Sequence, residues 1–324
     1  MKYQKIQEEK QKSYFPKDKL GGKFGSKPYD FVLKDYKDNF MPHINVDSVL
    51  KYFKDNNIGW WKGKVPTGHT LSSQISCINH LYSLRNDHDA VLAIARSVDS
   101  RIDDVLTLNN DKESWRGYIS FEVVSETDHL NEKKGRNKKL TRGSQCTSID
   151  AVILARKDKK RVLLAIEWKY VEHYSNTDKS KNTKNSKSGD TRVNNYSGCE
   201  NVANPKLIDN SMQLKTLNEY EGSVYFFEPF YQLMRQTLWA EQMVKYHKEE
   251  VIQADDYIHV HVVPENNTEL RGNYKCSGKD MHTTWIDQLN NPSKYILISQ
   301  KKLMSNLPAK YTELVESLKK RYWQ

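Results

Sequence analysis

The chain has 324 residues, 37% hydrophobic and 11% aromatic, enough to bury a core and too aromatic for a disordered chain. Lysine and arginine number 51 against 41 aspartates and glutamates, a formal net charge of +10 that favours an anionic partner, nucleic acid or membrane surface. No apolar run reaches the ~18–20 residues of a membrane span, and the charged start Met1–Phe15 lacks the apolar core of a signal peptide.

Residues 1–44 are polar and rich in lysine and tyrosine, with Pro16, Pro28 and Pro42, and read as an irregular region draped on the core. A short amphipathic helix is expected over Val46–Phe53 with Asn45 as N-cap. Leu71, Ile75, Ile78, Leu81 and Leu84 recur at helical steps behind Ser72 and Ser73, which read as caps rather than nucleophiles. A second helix is expected from about Asp89, with Val91, Ile94, Val98, Ile102 and Val105 on its apolar face. The period then changes. Tyr118–Val124 reads as a strand, a charged loop runs from Ser125 to Arg142, and two further strands cover Ile149–Ala155 and Val162–Tyr170. Ser175–Asn204 reads as a long polar segment. A helix is expected from Glu228-Pro229 to about Glu250 with proline in its first turn. Asp256–Val263 alternates like a strand, and Pro308–Tyr322 reads as a terminal amphipathic helix. This order argues for one α/β domain with a mixed sheet.

The two strands around residue 158 carry the chemistry. A hairpin turn centred between Asp158 and Lys159 sets Ala155 opposite Val162 and Asp150 opposite Glu167. Directly opposed residues share a face, and Lys169, two residues on, projects from that face too. Two close carboxylates repel unless a cation sits between them, and a hard divalent ion such as Mg²⁺ answers that need. A cross-strand carboxylate–lysine ion pair on a solvated sheet face fits the same spacing, and a one-residue slip of register would separate the two acids.

The run Ser148-Ile149-Asp150, then Glu167-Trp168-Lys169 after sixteen intervening residues, resembles the active site of the PD-(D/E)XK nuclease superfamily, with Ile149 in place of the name-giving proline. Thr147–Ala151, Ile166–Tyr170, Glu228–Gln236 and Ser72–Cys77 are similar to its restriction-endonuclease-like branch. The resemblance spans roughly residues 72–264. It implies a restriction-endonuclease-like α/β core, a central mixed β-sheet flanked by helices, with N-terminal and C-terminal extensions. The corresponding division is an extension over 1–66, a catalytic domain over 67–300 and a C-terminal helix over 301–324. It also implies Mg²⁺-dependent hydrolysis of DNA phosphodiesters, with Mn²⁺ able to substitute. Asp150 and Glu167 would bind the metal and Lys169 would assist the nucleophilic water. Glu122 is the candidate for a further upstream acid, with an outward-facing strand glutamate as the alternative. Gln232, Arg235 and Gln236 share a helix face by their spacing. The resemblance puts Gln232 beside the reaction, with Arg235 and Gln236 on the nucleic acid.

Further nucleic-acid contacts are expected from Lys138, Lys139 and Arg142 in the charged loop, and from Arg192 and Tyr196, an arginine for phosphate and a ring for stacking. The +10 is concentrated between residues 132 and 198, including the hairpin turn Arg156–Arg161, and reads as a phosphate-tracking rim. His259-Val-His261 could bind metal but reads better as sheet histidines. Cys77, Cys146, Cys199 and Cys276 form no CxxC pair, which argues against a zinc ribbon and for reduced thiols in a cytoplasmic protein. The expected partner is double-stranded DNA rather than a membrane, with a homodimer suited to a palindromic site. A non-catalytic nucleic-acid binder on a nuclease-like fold is the alternative.

Overall fold

The computed structural model describes residues 2–61, 63–132, 146–184 and 186–323. The chain opens with α1 (Tyr3–Tyr14), a two-residue ribbon β1 (Lys23–Phe24) and β2 (Lys27–Pro28), and then α2 (Val46–Asp55). Next come α3 (Ser73–Leu81), α4 (His88–Val98), β3 (Asp104–Leu106) and β4 (Ser120–Val123). The long hairpin is β5 (Ile149–Lys157) and β6 (Lys160–Trp168), followed by α5 (Ser188–Ser197), α6 (Phe230–Lys245) and β7 (Asp256–Val262). The chain closes with α7 (Thr268–Arg271), α8 (Met281–Ile286), β8 (Tyr295–Ile298), α9 (Gln300–Leu303) and α10 (Thr312–Arg321).

The main sheet runs β3-β5-β6-β7-β8, with β4 also on β5. β3, β4 and β6 lie antiparallel to β5, while β7 and β8 run parallel to β6 and to each other. This is the mixed α/β architecture expected. The β5–β6 register sets Ala155 opposite Val162 and Ala151 opposite Ile166. Asp158 and Lys159 form a two-residue turn with φ of 51° and 66°, the left-handed pair that matches the twist of the strands it joins.

Strand alternation splits the core into two layers. Ala151, Ile153, Ala155, Leu164, Ile166 and Trp168 pack against α2, α3, α4 and the chain termini. Val152, Leu154, Leu163 and Ala165 pack against α6 and α8. Asp150, Glu167 and Lys169 continue the second set, so the sheet aims them at the α6 side.

Several elements depart from the sequence reading. The N-terminal stretch is not irregular. It begins with α1, whose buried positions are Tyr3, Gln7 and Gln11, a helical stripe made largely of glutamine that hydrophobic periodicity does not register. Gln7 and Gln11 both bond the Tyr170 hydroxyl at 2.9 Å, and Gln11 also donates to the Arg321 carbonyl at 3.0 Å. The second helix stops at Val98. Asp99 takes the Arg101 N–H at 3.1 Å in a side-chain turn, and Val105 belongs to β3 instead. The polar segment contains α5. Pro229 occupies the N-cap of α6 rather than its first turn, and α6 ends at Lys245. The four-residue β8 is too short to stand out in the sequence. Among the described residues no helix is long and apolar enough to cross a membrane.

Candidate active site

The β5–β6 ladder runs out at Ala151 and Ile166, and there Asp150 continues it with its side chain, its Oδ2 accepting the Trp168 N–H at 2.7 Å. Glu167 is 2% exposed. Its Oε1 lies 2.6 Å from Lys169 Nζ, and its Oε2 accepts from Gln236 Nε2. Lys169 also donates to Gln232 Oε1 at 2.6 Å. The Lys169 N–H donates to Val262 O at 2.8 Å and its carbonyl accepts from Gln300 Nε2 at 2.6 Å, so its position does not depend on the charged contacts alone. The structure therefore brings Asp150, Glu167, Lys169, Gln232 and Gln236 together, with Glu167, Lys169 and Gln236 buried and Asp150 and Gln232 partly exposed, rather than as a solvated ion pair.

Glu122 joins them from β4. It adopts φ 50°, which costs a non-glycine residue energy and turns the strand over. Phe121 accordingly packs in the first core layer and Val123 in the second, where regular alternation would keep them together. The Glu122 carboxylate accepts from Gln74 Nε2 at 2.7 Å and Ser148 Oγ at 3.0 Å. Gln74 sits in the first turn of α3, where the helix dipole favours a carboxylate, and its own carbonyl is fixed by the Trp61 N–H at 3.1 Å.

The charges act on one another. Burial pushes the Asp150 carboxyl well above the usual range, and the negative charges of Glu167 and Glu122 push it further. Burial alone would lower the Lys169 ammonium. The surrounding Glu167, Tyr174, Glu172 and Asp150 outweigh it and hold Lys169 well above its ordinary value, firmly protonated. The site thus carries more carboxylate than its one ammonium neutralises, which is the condition a divalent cation relieves. Among the described residues no group of three or more histidine, cysteine, aspartate and glutamate side chains is placed to hold a metal. Mg²⁺ asks less than that, taking one or two carboxylates and completing its shell with water and substrate oxygens. A cleft of about 440 Å³ opens onto Asp150 and Glu122, lined also by Gln74, His69, Glu172 and His173.

Other expectations change with the structure. Gln236 is 1% exposed and cannot reach nucleic acid: it holds Glu167. Its spent amide leaves Oε1 to accept, so His259 Nε2, 3.2 Å away, carries the proton, and Thr237 Oγ1 serves Nδ1 at 3.1 Å. Burial lowers His259 to about 3, which keeps this ring neutral. His261 bonds the Tyr295 hydroxyl at 2.9 Å, so the two strand histidines orient and pack. Tyr196 is 2% exposed with its hydroxyl on Glu132 at 2.8 Å, which leaves no open face for stacking. Arg235 is paired with Glu132 at 3.0 Å instead of pointing to solvent. Arg192 is half-buried and donates to the Lys179 carbonyl at 3.0 Å. Lys138, Lys139 and Arg142 lie outside the described residues. The hairpin-turn cations lie roughly 25 Å of strand from Asp150, so they do not rim the cleft. Gln74 and His259 lie inside stretches that the sequence singles out, but the sequence assigns neither its role. A glutamine inside Ser72–Cys77 and a histidine facing α6 become legible only once the sheet sets their neighbours.

A family model described as Restriction Endonuclease associating with ARP matches residues 9–323. No curated protein and no solved structure matches the chain.

Proposed function

Since the chain belongs to the family of restriction endonucleases associating with ARP, and so to the restriction-type nucleases, we propose that it is a Mg²⁺-dependent endonuclease hydrolysing phosphodiesters of double-stranded DNA. The observation that carries this reading is the meeting of Asp150, Glu167 and Lys169 on one sheet face under the glutamines of α6. Asp150 and Glu167 are the residues that would hold the metal. Held there, Mg²⁺ would polarise a phosphoryl oxygen and lower the pKa of a water.

The chain's own residues do the positioning. Lys169, held protonated by the acids around it, presents a fixed positive charge where negative charge develops on the phosphate. Gln232 Oε1 accepts a hydrogen bond from Lys169 and so aims the ammonium. Gln236 fixes one Glu167 oxygen, and His259 fixes Gln236. Glu122, braced by Gln74 and Ser148, adds a further carboxylate at the cleft wall, suited to orient water.

Incubation with plasmid and genomic DNA, with and without Mg²⁺, followed by sequencing of fragment ends, tests the proposal. Discrete Mg²⁺-dependent fragments are expected, and their loss in Lys169→Ala. Cleavage by Lys169→Ala at the wild-type rate would overturn the assignment.

A further inference from the structure

A second cleft, about 670 Å³, lies on the α6 side between the loop after β4 and the C-terminal end of α5. Its chemistry differs from that of the acidic site. Asn131, Asn194, Asn195 and Asn201 line it with Thr127, Thr191 and one carboxylate, Asp128, and among its described lining residues there is no lysine or arginine. In a chain of net charge +10, a concave surface that offers amides and one carboxylate but no cation is poorly matched to the phosphate backbone, whose binding rests on Lys and Arg. Amides carry a donor and an acceptor side by side, the pattern that pairs with base edges, and asparagine pairs in two-point fashion with adenine.

The cleft is braced from beneath. Asn131 donates to the carbonyls of Asn195 at 2.6 Å and Asn204 at 2.9 Å and accepts the Asn204 N–H at 2.8 Å, which pins the 195–204 segment. The amide of Asn194 is partly spent on the Glu200 carbonyl at 3.3 Å. The side-chain amides of Asn195 and Asn201 make no hydrogen bond among the described residues, and Asn201 is held exposed by φ 57°, a conformation asparagine tolerates well.

The cleft is also tied to the active site. Asn131 adjoins Glu132, whose carboxylate gathers Thr147 at 2.7 Å, the Tyr196 hydroxyl at 2.8 Å and Arg235 at 3.0 Å. Tyr196 follows Asn195, and Arg235 precedes the Gln236 that holds Glu167. Through Glu132 and Arg235 the amide surface is thus tied to the helix that holds Glu167.

We propose that this cleft reads base edges of the DNA cut at Asp150 and Glu167, with the amides of Asn195 and Asn201 as the reading groups and adenine as a favoured base. The inference rests on the nuclease reading above, and the test separates the two. Asn195→Ala sits in a helix, where alanine is favourable, and Asn201→Gly keeps the left-handed backbone, so both variants should fold. Wild type and both variants are incubated with a DNA library of randomised sequence and Mg²⁺, and the ends of all fragments are sequenced. The expected result is a wild-type preference that includes adenine, and in each variant a loss of discrimination of about 10- to 100-fold at one or two base positions, with total cleavage within a few-fold of wild type. Unchanged preference in both variants, or wild-type cutting with no preference, overturns the inference and leaves the nuclease standing. No wild-type cleavage with Mg²⁺ overturns the nuclease reading, and the inference with it.

Discussion

The two ends of the β5–β6 hairpin are built from the same residue types and behave in opposite ways. At the turn end, Arg156 pairs with Asp103 at 3.0 Å and Asp104 at 2.6 Å, Lys157 with Asp99 at 2.8 Å, and Arg161 with Asp255 at 3.0 Å. Each of these acids is paired with a cation, Asp103 and Asp104 sharing Arg156. Arg161 lowers the Asp255 carboxyl to about 2, and Arg101 and Lys157 hold Asp99 below its ordinary range. At the open end three carboxylates share one ammonium, and Asp150 is driven upward. Sheet geometry is common to both ends. Burial and the ratio of acids to cations decide whether a charge stabilises the fold or is kept at its expense for another use.

The largest effects are expected from removing the open end's charges. Lys169→Ala, Asp150→Asn and Glu167→Gln should each lower DNA cleavage on the order of 10³-fold, because each removes a group acting on the reacting phosphate or its metal. Single-turnover cleavage of a fixed plasmid reads this directly. Full activity in any one of them would place that residue outside the chemistry. Gln236→Leu should cost less, about 10- to 100-fold. It leaves one oxygen of a buried carboxylate without its donor, a loss of about 1–3 kcal/mol that loosens Glu167 rather than deleting it. Activity equal to wild type would make Gln236 a packing residue.

How far this contrast was legible in the sequence follows from which interactions set it. The hairpin register could be read because side-chain direction alternates strictly, so that placing the turn at Asp158-Lys159 fixes Asp150 and Glu167 together. Asn45 and Ser72 could be read as caps because capping is local, and both accept the N–H three residues on. What the sequence hid depends on distant partners. Gln7 and Gln11 are buried because Tyr170 and Arg321 wait for them. Tyr196 lies inward because Glu132, 64 residues away, takes its hydroxyl. The basic rim failed at the turn for the same reason: Arg156, Lys157 and Arg161 are paired with acids from two distant segments, Asp99–Asp104 and Asp255.

The comparison also predicts opposite stability changes. For Asp150, a folded pKa above the unfolded value means that the unfolded chain gives up its proton first as pH rises. Stability is then lost between the unfolded value, near 3.9, and the raised folded value. Asp150→Asn should therefore melt higher than wild type at pH 7 in the presence of EDTA, by about 2–4 °C. The amide oxygen can still accept the Trp168 N–H. Added Mg²⁺ should raise wild type but not the variant. Differential scanning calorimetry with and without Mg²⁺ checks both, and a lower melting temperature for the variant would mean that the open end carries no stored cost.

The smallest effect is expected at the turn, with the sign reversed. Asp255 has a depressed folded pKa, so its contribution is present above the unfolded value near 3.9 and is lost as pH falls toward about 2. Both partners stand about one-third exposed, which screens the pair and holds its worth to within about 1 kcal/mol. Arg161→Ala should thus lose up to about 1 kcal/mol of unfolding free energy at pH 7 by urea titration, lose less as the pH falls toward 2, and cut DNA at the wild-type rate. A large loss of cleavage would show that the turn end takes part in DNA binding after all. An unchanged rate would confine the working charge of the hairpin to its other end.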